Sequence, residues 1–300
     1  MRNKKISLLG RVFRRLKYKN MLNWMPDALY LKLSYYYLTG NTLDLKNPKT
    51  FDEKLNWLKL YDRQDLYTTM VDKYAVKKYV ASLIGQEHVI PTLGVWDRVK
   101  DIDFDSLPNQ FVLKCTHNSG GILICKDKSK LDKEMLDKSF TKFLKTNYFY
   151  LHREWPYKNV KPRIIAEKLM KDDKDTTGVG LVDHKFYCFN GEPKYLYVAT
   201  GFGFAGGDRR ISFVDLDWKL APFRRTDYQG LKELPEKPSR FDEMVELARF
   251  FAKGHRFLRV DLYQINDEIY FSEFTFTPSA GRMELVPRKY ERILGDQLVL

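Results

Sequence analysis

Two carboxylates set inside apolar, aromatic stretches constrain this chain more than any other feature. Asp261 lies within Leu258-Arg259-Val260-Asp261-Leu262-Tyr263, and Glu273 within Ile269-Tyr270-Phe271-Ser272-Glu273-Phe274-Thr275. Both stretches read as β-strands. With Asn266-Asp267-Glu268 as a three-residue loop, both acids lie six residues from Asp267 and become cross-strand partners on one face. A two-residue loop would instead put them on opposite faces. Sharing a face, they would repel and raise one another's pKa unless a divalent cation lay between them. Oxygen-only ligands of this kind suit magnesium held together with nucleotide phosphates. The alternative has one acid facing solvent and the other paired with Arg259.

The chain around them, 300 residues of which 44% are hydrophobic, is long enough to bury one large core or several modest ones. Its formal charge of +13 implies an anionic partner, with nucleic acid, phospholipid, acidic glycan and nucleotide all open. The first 20 residues hold eight basic side chains (Arg2, Lys4, Lys5, Arg11, Arg14, Arg15, Lys17, Lys19) and no acid, leaving +5 for the other 280. Ile6, Leu8, Leu9, Val12, Phe13 and Leu16 interleave with them at near-helical spacing, which suits a helix lying on a membrane. A basic helix docked on its own domain or on a glycan fits equally. Cys115, Cys125 and Cys188, odd in number and without C-x-x-C spacing, read as buried thiols of a reducing compartment. No apolar run reaches the roughly 18 residues of a membrane span, and no leader pattern opens the chain. The expected location is cytoplasmic, with peripheral contact at the membrane face through residues 1–20.

No linker, repeat or low-complexity segment divides the chain, so its domains must abut. Residues 21–70 read as helical, and a further helix runs from about Val71 to Ile84, stopping at Gly85. From Asp103 the pattern changes to short strands: 111–116, 122–125, 164–167, a hairpin of 186–189 and 195–198 about Asn190-Gly191, then 257–263 and 269–276. Helices are expected at 131–144 and 241–251. The fold class is α+β with mainly antiparallel sheet in the second half.

Lys114 precedes the turn His117-Asn118-Ser119-Gly120-Gly121 between two of these strands. Such a turn lays backbone N–H groups over phosphates while the lysine supplies charge, although Gly-Gly in a hairpin also serves as a turn alone. Neither Walker-A spacing nor a G-x-G-x-x-G opening a helix is present, which argues against P-loop and Rossmann sites.

Taken in order, five segments carry a resemblance: Phe51-Asp52-Glu53-Lys54-Leu55-Asn56-Trp57, Asp72-Lys73-Tyr74, Lys114-Cys115-Thr116-His117-Asn118-Ser119-Gly120-Gly121, Arg153-Glu154-Trp155-Pro156-Tyr157 and Glu273-Phe274-Thr275-Phe276-Thr277-Pro278. Across roughly residues 50–283 the chain resembles the ATP-grasp ligases, and most closely the TupA-like (teichuronopeptide-biosynthesis) ATP-grasp family of bacterial cell-surface polysaccharide clusters. The resemblance implies an ATP-grasp fold: a basic segment 1–20, a helical substrate region 21–109, a small subdomain 110–166, and a large subdomain 167–300 with the magnesium site. It implies ATP and Mg2+ as cofactors. Lys73 and Lys114 match the phosphate-binding lysines, and Ser119, Gly120 and Gly121 the loop closing over ATP. Glu167, Lys168 and Met170 resemble the hinge that holds adenine, with Asp173 at the ribose and Lys185 as a further charged group facing the nucleotide. Arg259 matches the arginine that stabilises the phosphoryl intermediate, and Asp261 and Glu273 the magnesium ligands. In one departure, Thr275 stands where the family at large has Asn as a metal ligand.

The implied chemistry activates a carboxylate as an acylphosphate that an amine then attacks. It needs no side-chain nucleophile, and the chain has neither a Cys-His pair nor a G-x-S-x-G elbow. Arg153, Trp155 and Tyr157 join cation and aromatic faces suited to an acidic sugar. The segment 201–210 reads as a lid bearing Arg209 and Arg210, and Arg282 is a further candidate at the reacting groups. The expected partners are an anionic sugar or polysaccharide precursor and an amine or amino acid, with no nucleic acid. A sugar phosphotransferase on the same site is one alternative. A glycosyltransferase using Asp103-Phe104-Asp105 or Asp215-Leu216-Asp217 is the other.

Overall fold

The computed structural model describes residues 7–175, 180–202 and 208–300. Five helices come first: α1 (Leu8–Tyr18), α2 (Asp27–Thr39), α3 (Phe51–Tyr61), α4 (Asp65–Val71) and α5 (Ala75–Ile84). Ser7 caps α1 by accepting from the Gly10 N–H, and Thr50 with Glu53 closes a reciprocal capping box on α3. The single helix expected from Val71 is broken. Asp72 adopts an extended backbone, its Oδ1 accepts from the N–H of Tyr74 (2.9 Å), and the helix restarts at Ala75. A short acid that bonds its own backbone competes with helix propagation there, and Lys73 is left outside both helices.

A four-stranded antiparallel sheet follows, ordered β1 (Thr92–Trp96), β4 (Ile164–Lys168), β2 (Phe111–Cys115), β3 (Ile122–Cys125), with α6 (Lys133–Leu144) packed on it and α7 (Tyr148–His152) before β4. Strand β1 lies in a region read as helical. Its edge position leaves it partly exposed on both faces, so it carries no period-two alternation. The small sheet therefore spans Thr92 to Lys168, crossing the expected boundaries at 110 and 167.

The larger sheet is also antiparallel, ordered β10 (Glu268–Thr275), β9 (Phe257–Ile265), β5 (Asp183–Phe189), β6 (Glu192–Thr200), β7 (Arg210–Val214). A two-residue strand β8 (Arg224–Arg225) pairs with β11 (Leu285–Val286), and α8 (Phe241–Ala252) and α9 (Lys289–Gln297) complete the fold. One face of the sheet, with Phe186, Leu196, Val260 and Phe271, packs with α8 residues such as Met244 and Ala248. The other face buries Tyr187, Phe213 and Phe257 with Phe51, Leu55 and Leu294 of α3 and α9.

The hairpin β9–β10 corrects the reasoning about the acids while keeping its result. The loop is two residues, Asn266 and Asp267, both left-handed (φ 50° and 65°), with Ile265 opposite Glu268. Left regular, that register would pair Asp261 with Ser272. A bulge between Phe271 and Glu273 takes up Ser272 and puts Glu273 opposite Asp261.

The N-terminal helices are held by Arg153, which is fully buried. Its Nη2 donates to the carbonyls of Leu22 (3.0 Å), Asn23 (3.3 Å) and Met25 (3.2 Å), and its Nε lies 3.1 Å from Asp27 Oδ1. The expected substrate contact is thus a structural clamp, and its guanidinium also stacks 4.2 Å from the Tyr30 ring. Arg153→Met is expected to cost roughly 3 kcal/mol in urea denaturation, because it removes the donor from the Leu22, Asn23 and Met25 carbonyls and leaves Asp27 only its contact with Arg63 (2.9 Å). Limited proteolysis should then cut first among residues 7–45.

Candidate active site

Strands β5, β9 and β10 bring five charged side chains onto one sheet face, because cross-strand partners share a face. Lys185 lies opposite Asp261, and Asp261 opposite Glu273. Arg259 Nε and Nη2 donate to Asp261 at 2.7 and 2.6 Å, and Nη2 also reaches Glu273 Oε1 at 2.9 Å. Lys185 Nζ lies 2.6 Å from Asp261 Oδ2 and 3.0 Å from Asp183 Oδ1. Burial acts to raise the Glu273 pKa, but Lys185, Arg259, Lys73 and Lys114 outweigh it and hold the group at about 2. For Asp261, fully buried, burial prevails over the same two neighbouring cations and the pKa is raised.

The small sheet contributes a second charged face. Along β2 the core-facing Phe111, Leu113 and Cys115 alternate with half-buried Val112 and Lys114. Lys114 Nζ and Lys77 Nζ of α5 each lie 2.6 Å from a different oxygen of Glu167. Burial opposes ionisation of Glu167, yet the two lysines bring its pKa down to about 2. Lys73, freed by the break at Asp72, donates from Nζ to the Asn118 carbonyl at 2.6 Å. Lys73 therefore sits against the Gly-rich turn, whose tip, Ser119-Gly120, is exposed. Gly120 has φ 125°, and a Cβ added there would meet nothing within 4 Å.

The remaining expected residues divide. Lys168 is exposed, Met170 half-buried, and Asp173 bonds at the surface to Asn266 (Oδ2 accepting at 3.0 Å). Thr275 pairs with Arg259 across the hairpin. Tyr157 is half-buried; burial, then the charges of Glu154 and Glu273, push its hydroxyl pKa well up. Arg282 Nη2 lies 3.3 Å from His152 Nδ1. Trp155 is half-buried and packs against the core that includes Tyr67 and Met70 of α4. Arg210 is tied to Asp208 (2.7 Å) and the Gly230 carbonyl (2.9 Å), while Arg209 stacks on Phe202 at 5.4 Å. Residues 203–207 of the expected lid lie outside the described residues. The two Asp-x-Asp pairs are local turns, in which Asp103 and Asp215 accept from the N–H groups of Asp105 and Asp217.

Sequence reasoning missed Lys77 and Asp183. Asp183 and Lys185 alternate along one strand, which places them on one face, and Lys77 follows Lys73 by four. Those two spacings were available as signals.

Compared with known families, residues 53–299 match the one described as TupA-like ATPgrasp. The chain belongs to the TupA-like ATP-grasp family. Similar solved structures include D-alanine–D-alanine ligase from Bacillus anthracis (18% identity, TM-score 0.43, covering 76% of this chain and 65% of that one). D-alanine–D-alanine ligase from Helicobacter pylori gives 14%, 0.41, 83% and 69%, and the ATP-grasp ligase PsnB complexed with minimal precursor, Mg and ADP gives 11%, 0.36, 70% and 52%. The chain thus spans less than two thirds of the Bacillus anthracis ligase, and membership rests on the family match. No curated protein matches the chain. Within this ATP-grasp fold the two charged faces are the small and large sheets of the fold.

Glu167→Gln is expected to destabilise this ATP-grasp protein by about 3 kcal/mol, since it strands two lysines on the small sheet. The pKa of Glu167 falls on folding from 4.5 to about 2. Its stabilisation is therefore present above pH 4.5 and lost as the pH drops towards 2, and acid unfolding of the variant should lack that increment.

Proposed function

We propose that the protein is an ATP- and Mg2+-dependent ligase that joins a carboxylate to an amine through an acylphosphate. We further infer that it modifies an acidic or amino sugar in bacterial cell-surface polysaccharide synthesis. The observation that carries this reading is the Arg259–Asp261–Glu273–Lys185 network, with Lys73 and Lys114 close enough to act on the same Glu273 carboxylate. Four cations around a hard-oxygen pair suit a polyphosphate with a divalent ion.

The donor set fits both groups. Glu273 is half-buried, with one oxygen engaged by Arg259, so it retains lone pairs for a cation. Among the described residues no group of three or more His, Cys, Asp or Glu side chains is placed to hold a metal, so phosphate oxygens and water would complete the shell. The open space at Gly120 lets backbone approach a phosphate closely. Glu167 and Asp261 would keep Lys114, Lys185 and Arg259 oriented. Backbone groups of Lys168 to Met170 would meet the adenine. Bound ATP and Mg2+ supply the transferable phosphoryl group and the charge that screens it.

Incubation with ATP, Mg2+, a uronate and an amine should release ADP and inorganic phosphate. Recovery of ADP with a phosphosugar would favour the phosphotransferase, and stabilisation by a UDP-sugar without ATP turnover the glycosyltransferase. Glu273→Gln should lower kcat by roughly 10²-fold or more with its circular dichroism unchanged.

Peripheral membrane contact is a second, separable proposal. Exposed Leu8, Leu9 and Val12 on α1 lie among exposed Arg11, Arg14 and Arg15, while residues 1–6 lie outside the described residues. No helix among the described residues is long and apolar enough to cross a membrane. Replacing Leu8, Leu9 and Val12 with Ser should abolish sedimentation with phosphatidylglycerol vesicles; unchanged sedimentation would exclude this mode.

A further inference from the structure

A second group of charges lies beside the nucleotide cluster and is built differently. Lys17 of α1 and Lys59 of α3 are each 3% exposed, and Arg282 follows the turn after β10. Lys17 Nζ lies 3.4 Å and Arg282 Nη2 3.3 Å from the same atom, His152 Nδ1. Lys59 Nζ donates to Asn56 Oδ1 (3.0 Å) and to the Ala280 carbonyl (2.8 Å).

Every cation of the nucleotide cluster discussed above, apart from Lys73, touches a carboxylate at 2.6 to 2.9 Å. Among the described residues Lys17, Lys59 and Arg282 have none within 4.0 Å. Two acids face them. Asp52 is engaged elsewhere, accepting from the Met283 N–H at 3.0 Å and the Tyr35 hydroxyl at 3.4 Å. Glu154, 5% exposed, feels all three cations and Arg259 without an ion pair to any of them. Burial without an ion pair penalises such charges, drawing Lys59 down to about 7 and Glu154 up to about 7, and a bound counter-ion would relieve that cost for the cations.

We propose that Lys17, Lys59 and Arg282, gathered around His152 and faced by Glu154, form a second anion site that takes a carboxylate or phosphate group of the acceptor substrate. Burial, followed by repulsion from Arg282 and Lys59, pushes the Lys17 ammonium down to about 7, and a bound anion restores its charge. The site adjoins the phosphoryl-transfer face: Tyr157 is perturbed by both Glu154 and Glu273. The basic helix α1 thereby becomes part of the substrate pocket through its docked side, where Phe13 and Lys17 are buried, whatever its exposed side does. Only the identification of the anion as part of the acceptor rests on the ligase reading.

The test is calorimetric titration of the full chain with inorganic phosphate, D-glucuronate and D-glucose, and separately with ATP and Mg2+. At least one of the two anions is expected to bind the wild type while glucose does not, and which anion binds identifies the source of the charge. Lys17→Met should weaken that anion at least tenfold, Lys17→Arg should restore it, and ATP affinity should change less than twofold in both. Should Lys17→Met fail to fold, as judged by its thermal transition, half-buried Arg282→Met should weaken the same anion at least tenfold, and the ATP comparison then rests on Lys17→Arg alone. The proposal is overturned if neither anion binds the wild type, if glucose binds as well as they do, or if the Met variants bind the anion unchanged. Absence of ATP binding in the wild type would overturn the ligase reading instead and leave the anion result standing.

Discussion

The Arg259 guanidinium, shared between Asp261 and Glu273, is the interaction on which the rest of the structure depends. Two carboxylates facing each other across buried strands are untenable without positive charge between them. Arg259 supplies it from the same strand as Asp261, and Lys185 supplies more from the neighbouring strand. The central strands of the large sheet can therefore carry charge on one face only because it is balanced within that face. The opposite face carries no charged pair and is mostly apolar apart from buried His184 and Ser212, and α8 packs there. The proposed nucleotide chemistry and sheet stability thus draw on the same few ion pairs.

Much of this was legible in the sequence. The strands β2 to β6, β9 and β10 and the helices α6 and α8 followed from alternation, the Asn190-Gly191 turn and helical spacing, whereas β7, β8, β11, α7 and α9 did not, and the acid pair with its arginine could be seen as one unit. What the sequence concealed was tertiary. Arg153 stands beside two aromatic residues in a segment suggestive of sugar binding, yet the carbonyls that capture it are those of residues 22–25, some 130 positions away. Lys17 looked like one of eight equivalent N-terminal cations; only the docking of α1 singles it out. Strand β1 gave no alternation because an edge strand with both faces partly exposed imposes none.

The acids pair through a bulge and not through a three-residue loop, and the sequence carries the sign of that bulge. Ile269 and Phe271 are apolar at odd positions, whereas Phe274 is apolar at an even one. A regular strand cannot bury all three on one side, so the change of alternation marks the irregularity near Ser272. With it, Ile269, Phe271 and Phe274 all enter the core beneath α8, and Glu273 is turned out to meet Asp261.

The bulge at Ser272 also separates the two ends of β10 as a phase joint separates two gratings. Between the Asn266-Asp267 turn and Phe271 the strand is locked to β9 by one alternation; from Glu273 onward it is locked by the other. A one-residue slip that starts at the turn has a place to be absorbed before it reaches the carboxylate. The hairpin tip, which is exposed and tied to the Asp172–Asp173 segment, can therefore shift without rotating Glu273 out of its face.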